Sequence, residues 1–188
     1  MPSTADQDED FPVYSYVPGG PWPHPTRSSD GQSAHERVGE DAVIPLCPSN
    51  WSSSRPYMRG IRLFNAGYYW EAHECWEALW HVHGRTGPTA DFLRALIKLA
   101  AAGVKVRERR PLGVTTHARR AAELLAMLQA QVGRTLHGLD LAWLEAHARR
   151  LEDRPPEDPG RRTDPVVLVF AFALDPRDPE QSGTASEP

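Results

Sequence analysis

The sequence predicts an all-α protein: an antiparallel bundle of about five helices, with proline-rich extended N- and C-terminal segments. Three observations predict it. Nine of the 18 prolines fall in residues 1–56 and seven in residues 152–188, leaving only Pro88 and Pro111 between. Proline costs about 3 kcal/mol in a helix interior, so long helices are confined to the middle of the chain. Within that middle, apolar residues recur at i, i+3, i+4 and i+7, the period of a helix buried on one face. Charge divides the chain in the same places. Residues 1–56 carry three basic against eight acidic residues, residues 57–151 fourteen against eight, and residues 152–188 four against nine.

The expected organisation has three parts. Residues 1–56 form an acidic, proline-rich N-terminal extension, partly extended or disordered. Residues 57–151 form the helical bundle domain, long enough to bury a modest core. Residues 152–188 form an acidic C-terminal extension with one short extended segment, 166–174.

The elements follow in order. Residues 57–66 place Tyr57, Ile61 and Phe64 on one helical face, and Asn65-Ala66-Gly67 supplies a stop, because glycine takes the left-handed conformation readily. A second helix is expected over 68–82, ending before the glycine-rich loop 83–88. A third runs over 89–108, with Phe92, Leu96, Leu99, Ala100 and Gly103 on one face and Arg94, Lys98 and Lys105 on another. Pro111-Leu112-Gly113 reads as a break, and a fourth helix follows over 114–131, with His117, Ala121, Leu124, Leu125 and Leu128 aligned. Asp140 is placed to N-cap a short fifth helix over 141–151. Residues 166–174, VVLVFAFAL, are β-branched and aromatic and read as a strand. Residues 11–17 share that composition, so the two ends are expected to pair or to lie along the bundle.

Composition excludes several classes. No stretch approaches the ~20 apolar residues of a membrane span, so no membrane partner is expected. The acidic N-terminus lacks the apolar core of a secretory signal. Cys47 and Cys75 have no CxxC spacing, which argues against a cysteine zinc site and places the protein in the cytoplasm. No phosphate-binding glycine loop, nucleophile elbow or EF-hand loop is present.

The chemistry is concentrated in WEAHECWEALW, residues 70–80. At ~100° per residue, Tyr69, Ala72, Trp76, Leu79 and Trp80 make an apolar stripe. His73 and Glu77 stand at its shoulder one turn apart, where both can reach one cation. Glu71 points away and is expected to be a solvated carboxylate, and Cys75 a packing residue. His73-Glu74-x-x-Glu77 has the offsets of the HExxH metalloprotease motif with glutamate in place of the second histidine. By that analogy Glu74 is the candidate general base. The candidate metal ligands are His73 and Glu77, with His117 or His81 completing the set. The implied cofactor is a divalent metal such as zinc, which takes histidine and carboxylate donors and keeps a position open in catalytic sites. The competing reading is structural: a buried hydrogen bond from this pair that ties two helices together.

The segment LFNAGYYWEAHECWEALW followed by DFLRALIKLAAA resembles a family of small bacterial and archaeal helical proteins, the domain of unknown function family 309. Gly67, Glu71, Ala72, His73, Glu74, Glu77 and Trp80 match the first part of its pattern, and Phe92, Leu96, Ile97 and Ala100 the second. Lys98 departs from it, standing where glutamine is expected. The resemblance spans about residues 57–130. It implies an all-α bundle with a polar site around His73 and Glu77, and it implies no activity.

Two other functions compete with metal or small-ligand binding. GYYWEAHECWEAL also looks like half of a tetratricopeptide repeat, which would make the domain a protein-interaction module. No 34-residue period recurs, however, and an open groove lined by Tyr69, Trp70 and Trp76 is the feature that reading needs. Nucleic-acid binding through the basic run at residues 105–110 ranks third, because no groove-reading motif accompanies it; cations ending a helix are favoured there by its dipole. A homo-oligomer is compatible with this sequence, and no specific partner is indicated.

Overall fold

A computed structural model describes residues 11–25 and 44–177. The expected disorder of the N-terminal extension falls in part on residues 1–10 and 26–43, outside the described residues, as does the tail 178–188. Five helices carry the fold: α1 (Arg55–Asn65), α2 (Tyr69–Val82), α3 (Pro88–Arg107), α4 (Pro111–Val132) and α5 (Leu141–Asp153). Each packs chiefly on its neighbour in sequence, α1 on α2, α2 on α3, α3 on α4 and α4 on α5. This is the all-α bundle the sequence predicts. No helix among the described residues is long and apolar enough to cross a membrane.

The middle of the row is α3. Its neighbours cover two sides, so its apolar residues spread around most of its circumference rather than along one stripe. Phe92, Leu93, Leu96, Leu99 and Ala100 are fully buried. Trp76 of α2 is also fully buried, and its indole donates to the carbonyl of Tyr57 at 3.3 Å. Gly60 of α1 makes that approach feasible, because any Cβ there would collide with the Trp76 ring. Glycine inside a helix costs up to about 1 kcal/mol against alanine, a cost offset here by seating a side chain that buries roughly 150–250 Å².

The turn between α1 and α2 closes as the sequence indicates. Gly67 has φ +89°, its N–H donates to the Phe64 carbonyl, and the Tyr68 N–H donates to the Leu63 carbonyl. Those two bonds satisfy carbonyls left over at the helix end. Asp140 caps α5, its carboxylate accepting from the Trp143 N–H at 3.0 Å. One expectation is corrected. Pro111-Leu112-Gly113 is the first turn of α4, not a break, since a proline at the first helical position lacks only an N–H that would be unbonded anyway. A small hairpin, β1 (Thr135–Leu136) and β2 (Leu139–Asp140), precedes α5, with His137 and Gly138 at its tip, both at positive φ.

The segment 166–174, expected to be a strand, takes no regular secondary structure, bends at Ala171 and joins no sheet among the described residues. Side chains of the bundle satisfy its backbone instead. The Tyr69 hydroxyl accepts from the N–H groups of Val169 (3.0 Å) and Phe170 (3.3 Å). Asn65 brackets Leu174, accepting from its N–H at 2.7 Å and donating to its carbonyl at 2.8 Å. Phe170 and Leu174 are buried with the helices, as is Leu46. The N-terminal segment lies along the bundle too, with Phe11 on Tyr68 and Tyr16 on Trp70. The two ends meet through one backbone bond, Ser15 N–H to the Pro165 carbonyl at 2.9 Å.

Candidate functional site

The opening turns of α2 place the candidate residues. Alanine, leucine and glutamate favour this helix, and the buried Tyr69, Ala72, Trp76 and Leu79 fix its rotation. Fixing the rotation of α2 also fixes where its polar residues emerge. His73, Glu74 and Glu77 each offer a donor atom within 4.8 Å of the others. His73 Nδ1 and Glu74 Oε1 lie 3.3 Å apart. Ligands at 2.0–2.2 Å from a tetrahedral zinc stand roughly 3.4 Å from one another, so this spacing suits a shared cation. The Trp70 ring stacks beside His73, centroids 5.9 Å apart. The imidazole is three-quarters covered, while Glu74 is nearly half exposed, so the cluster opens to solvent on one side.

The structure thus brings His73, Glu74 and Glu77 together and leaves the other two candidates outside that group. His81 is exposed at the end of α2, where its Nδ1 accepts from Arg85 at 2.8 Å. The Arg85 guanidinium also sits over Trp80. His117 of α4 is half-buried, close enough to His73 for their charges to interact. Burial lowers its pKa, and Lys98, Lys105 and His73 lower it further against a weaker pull from Glu108. Burial and these nearby cations thus disfavour the protonated form of His117.

Glu71 requires a correction. It was expected to be solvated, yet only 3% of its surface is exposed. Its carboxylate accepts from Ser15 Oγ at 2.7 Å and from the Tyr16 N–H at 2.9 Å. Burial raises its pKa, and those two donors partly offset the rise. Cys75 is buried, as expected of a packing residue.

The groove required of an interaction module is filled. Tyr69 and Trp76 are buried, and Tyr16 and His24 pack edge-on against Trp70. One polar centre escaped the sequence reading. His137, at the hairpin tip, is 3% exposed, and its Nε2 lies 3.1 Å from Thr89 Oγ1. The one available signal was His-Gly between two leucines, a short hairpin turn that needs positive φ at both central residues.

Residues 57–116, about a third of the chain, match the family model described as Domain of unknown function (DUF309). The match runs from the first turns of α1 through the start of α4. It contains His73, Glu74 and Glu77 and stops one residue short of His117. No curated protein matches the chain.

Proposed function

We propose that the protein is a metal-binding helical domain whose site is the His73, Glu74 and Glu77 cluster on α2. The convergence of one imidazole and two carboxylates within 4.8 Å carries this reading. That donor set suits a divalent cation such as zinc, and three protein donors with an open side leave a position for water or substrate. His73 and Glu77 are the ligands, Glu74 is a third ligand or the base beside them, and neutral His117 is the nearest accessory group. His73 and Glu74 bond within one helix, which gives less support to a network tying two helices together. Residues 57–151 are the unit that carries the site. The cysteines are free, as in a reducing compartment, and the proposal places the protein in the cytoplasm.

Metal content of untagged protein tests the proposal, comparing wild type with His73→Ala and Glu77→Ala. One equivalent of metal in wild type, lost in both folded variants, supports it. No metal in wild type, and none taken up from added zinc or manganese, overturns it. If both variants then also melt at lower temperature, the cluster is a structural one.

A further inference from the structure

A second polar site lies where α3 hands over to α4. A cavity of about 240 Å³ opens there between the residues closing α3 and the N-terminal segment. Its wall carries four arginines, Arg107, Arg109, Arg110 and Arg162, against a single carboxylate, Glu108. That carboxylate is already occupied, held by Lys105 at 2.8 Å and Arg110 at 3.3 Å. Three of the guanidiniums are anchored by main-chain carbonyls. Arg107 donates to Asp164 O at 2.8 Å, Arg109 to Gly160 O at 3.2 Å, and Arg162 to Gly19 O. Such bonds orient the forks, and although the Asp164 carboxylate also acts on Arg107, the wall carries more guanidiniums than carboxylates.

Two buried donors have no hydrogen-bond partner among the described residues: Arg107 Nη1 and the indole Nε1 of Trp22. Both residues line the same cavity. A buried donor left unpaired costs about 1–3 kcal/mol, and native structures rarely tolerate it. Both donors belong to residues lining one cationic cavity, where a bound anion brings acceptors beside them. Tyr14 stacks on Trp22, centroids 5.2 Å apart, and holds the indole in place.

We propose that this cavity binds the phosphate group of a small phosphorylated ligand. A phosphate presents three or more acceptor oxygens and up to two charges, which matches several guanidiniums and an indole better than a carboxylate does. The volume lies below the ~300–1,000 Å³ of sites that enclose a whole drug-sized ligand, so the cavity takes the anionic group and leaves the remainder outside. The basic residues that end α3, with Val106 among them buried in the core, thereby acquire a role independent of the α2 cluster.

The test uses the full chain with EDTA present, so metal at His73 has no part in it. Pyrophosphate is titrated at constant ionic strength while the indole N–H resonances are followed by NMR, Trp22→Phe assigning the relevant peak. The Trp22 peak is expected to shift saturably, and R109Q/R162Q to weaken the affinity at least about tenfold. Arg120→Gln, on the exposed face of α4 beside Glu123, is expected to bind like wild type. An unmoved Trp22 peak, an equal response to chloride, or unchanged affinity in R109Q/R162Q overturns the proposal. Should R109Q/R162Q fail to fold, Arg110→Gln carries the same comparison. A single-stranded oligonucleotide that binds more tightly than pyrophosphate, with steep salt dependence, also overturns it in favour of a nucleic-acid surface.

Discussion

Ser15 donates its hydroxyl to the Glu71 carboxylate at 2.7 Å, and both residues are buried. The bond joins positions 56 residues apart and closes the N-terminal segment over the first turn of α2, two residues before His73. Ser15 also donates its backbone N–H to Pro165. One residue therefore links the N-terminal arm, the C-terminal arm and the helix that carries the candidate metal site.

Substitution at Glu71 separates its two burdens, charge and hydrogen bonding. Alanine leaves the Ser15 hydroxyl and the Tyr16 N–H without their acceptor, and the expected loss is about 1–3 kcal/mol. Glutamine keeps an acceptor for Tyr16 and offers an amide donor to the Ser15 oxygen, and it removes the buried charge. The folded pKa of Glu71 is raised. Between the unfolded value and that raised value the folded state binds the extra proton, so stability falls as pH rises through this window. Glu71→Gln is therefore expected to equal or exceed wild type at neutral pH, with Glu71→Ala below both. Urea unfolding measures the order, and Glu71→Ala as stable as Glu71→Gln would refute the account.

Tyr69→Phe probes the other arm. Burial pushes the Tyr69 phenol up to about 12, so it remains a neutral hydroxyl and accepts from two backbone N–H groups at residues 169 and 170. Phenylalanine fills the same space but strands both donors, a loss of about 1–3 kcal/mol. The effect is expected to be local. Hydrogen exchange of Val169 and Phe170 should accelerate while amides of α3 keep their protection, and uniform acceleration across the bundle would contradict the assignment.

Much of this was legible in the chain because it is local. Proline spacing bounded the helices, Gly67 marked the first turn and Asp140 the last cap, and His73 and Glu77 share a face because i and i+4 share a face in any helix. What escaped depended on distant chain. A helical wheel set Glu71 toward water, since a wheel knows only its own helix. The covering residues, Ser15 and Tyr16, lie more than fifty positions away. Residues 166–174 were read as a strand from composition, but Asn65 and Tyr69 take the hydrogen bonds a neighbouring strand would have taken. His81 looked like the next ligand along the row until Arg85 claimed it. The arginine-lined cavity needed residues 17–22, 107–110 and 162 to meet, and no period or motif encodes that meeting.

Acid is expected to unfold the protein through His137. Its Nε2 contacts Thr89, and its carbonyl accepts from the Tyr57 hydroxyl at 2.8 Å. Burial lowers its pKa to about 4, helped by His83 and opposed by the Cys47 backbone. The imidazole is neutral in the folded protein where the unfolded chain has already taken a proton. From about pH 6.5 down to about pH 4 the unfolded state thus binds more protons, and stability falls as pH falls; the loss is complete below the folded value. The size is on the order of 3 kcal/mol at most. His117, also lowered, adds to the slope in the same direction. His137→Asn preserves the positive-φ backbone, which asparagine tolerates, and removes the titrating ring. At neutral pH it loses the ring contacts with Tyr57 and Phe92 and is expected to be the less stable protein. Unfolding midpoints measured from about pH 7 to about pH 4.5 should nevertheless fall less steeply for His137→Asn than for wild type. Parallel pH profiles would show that acid sensitivity resides elsewhere.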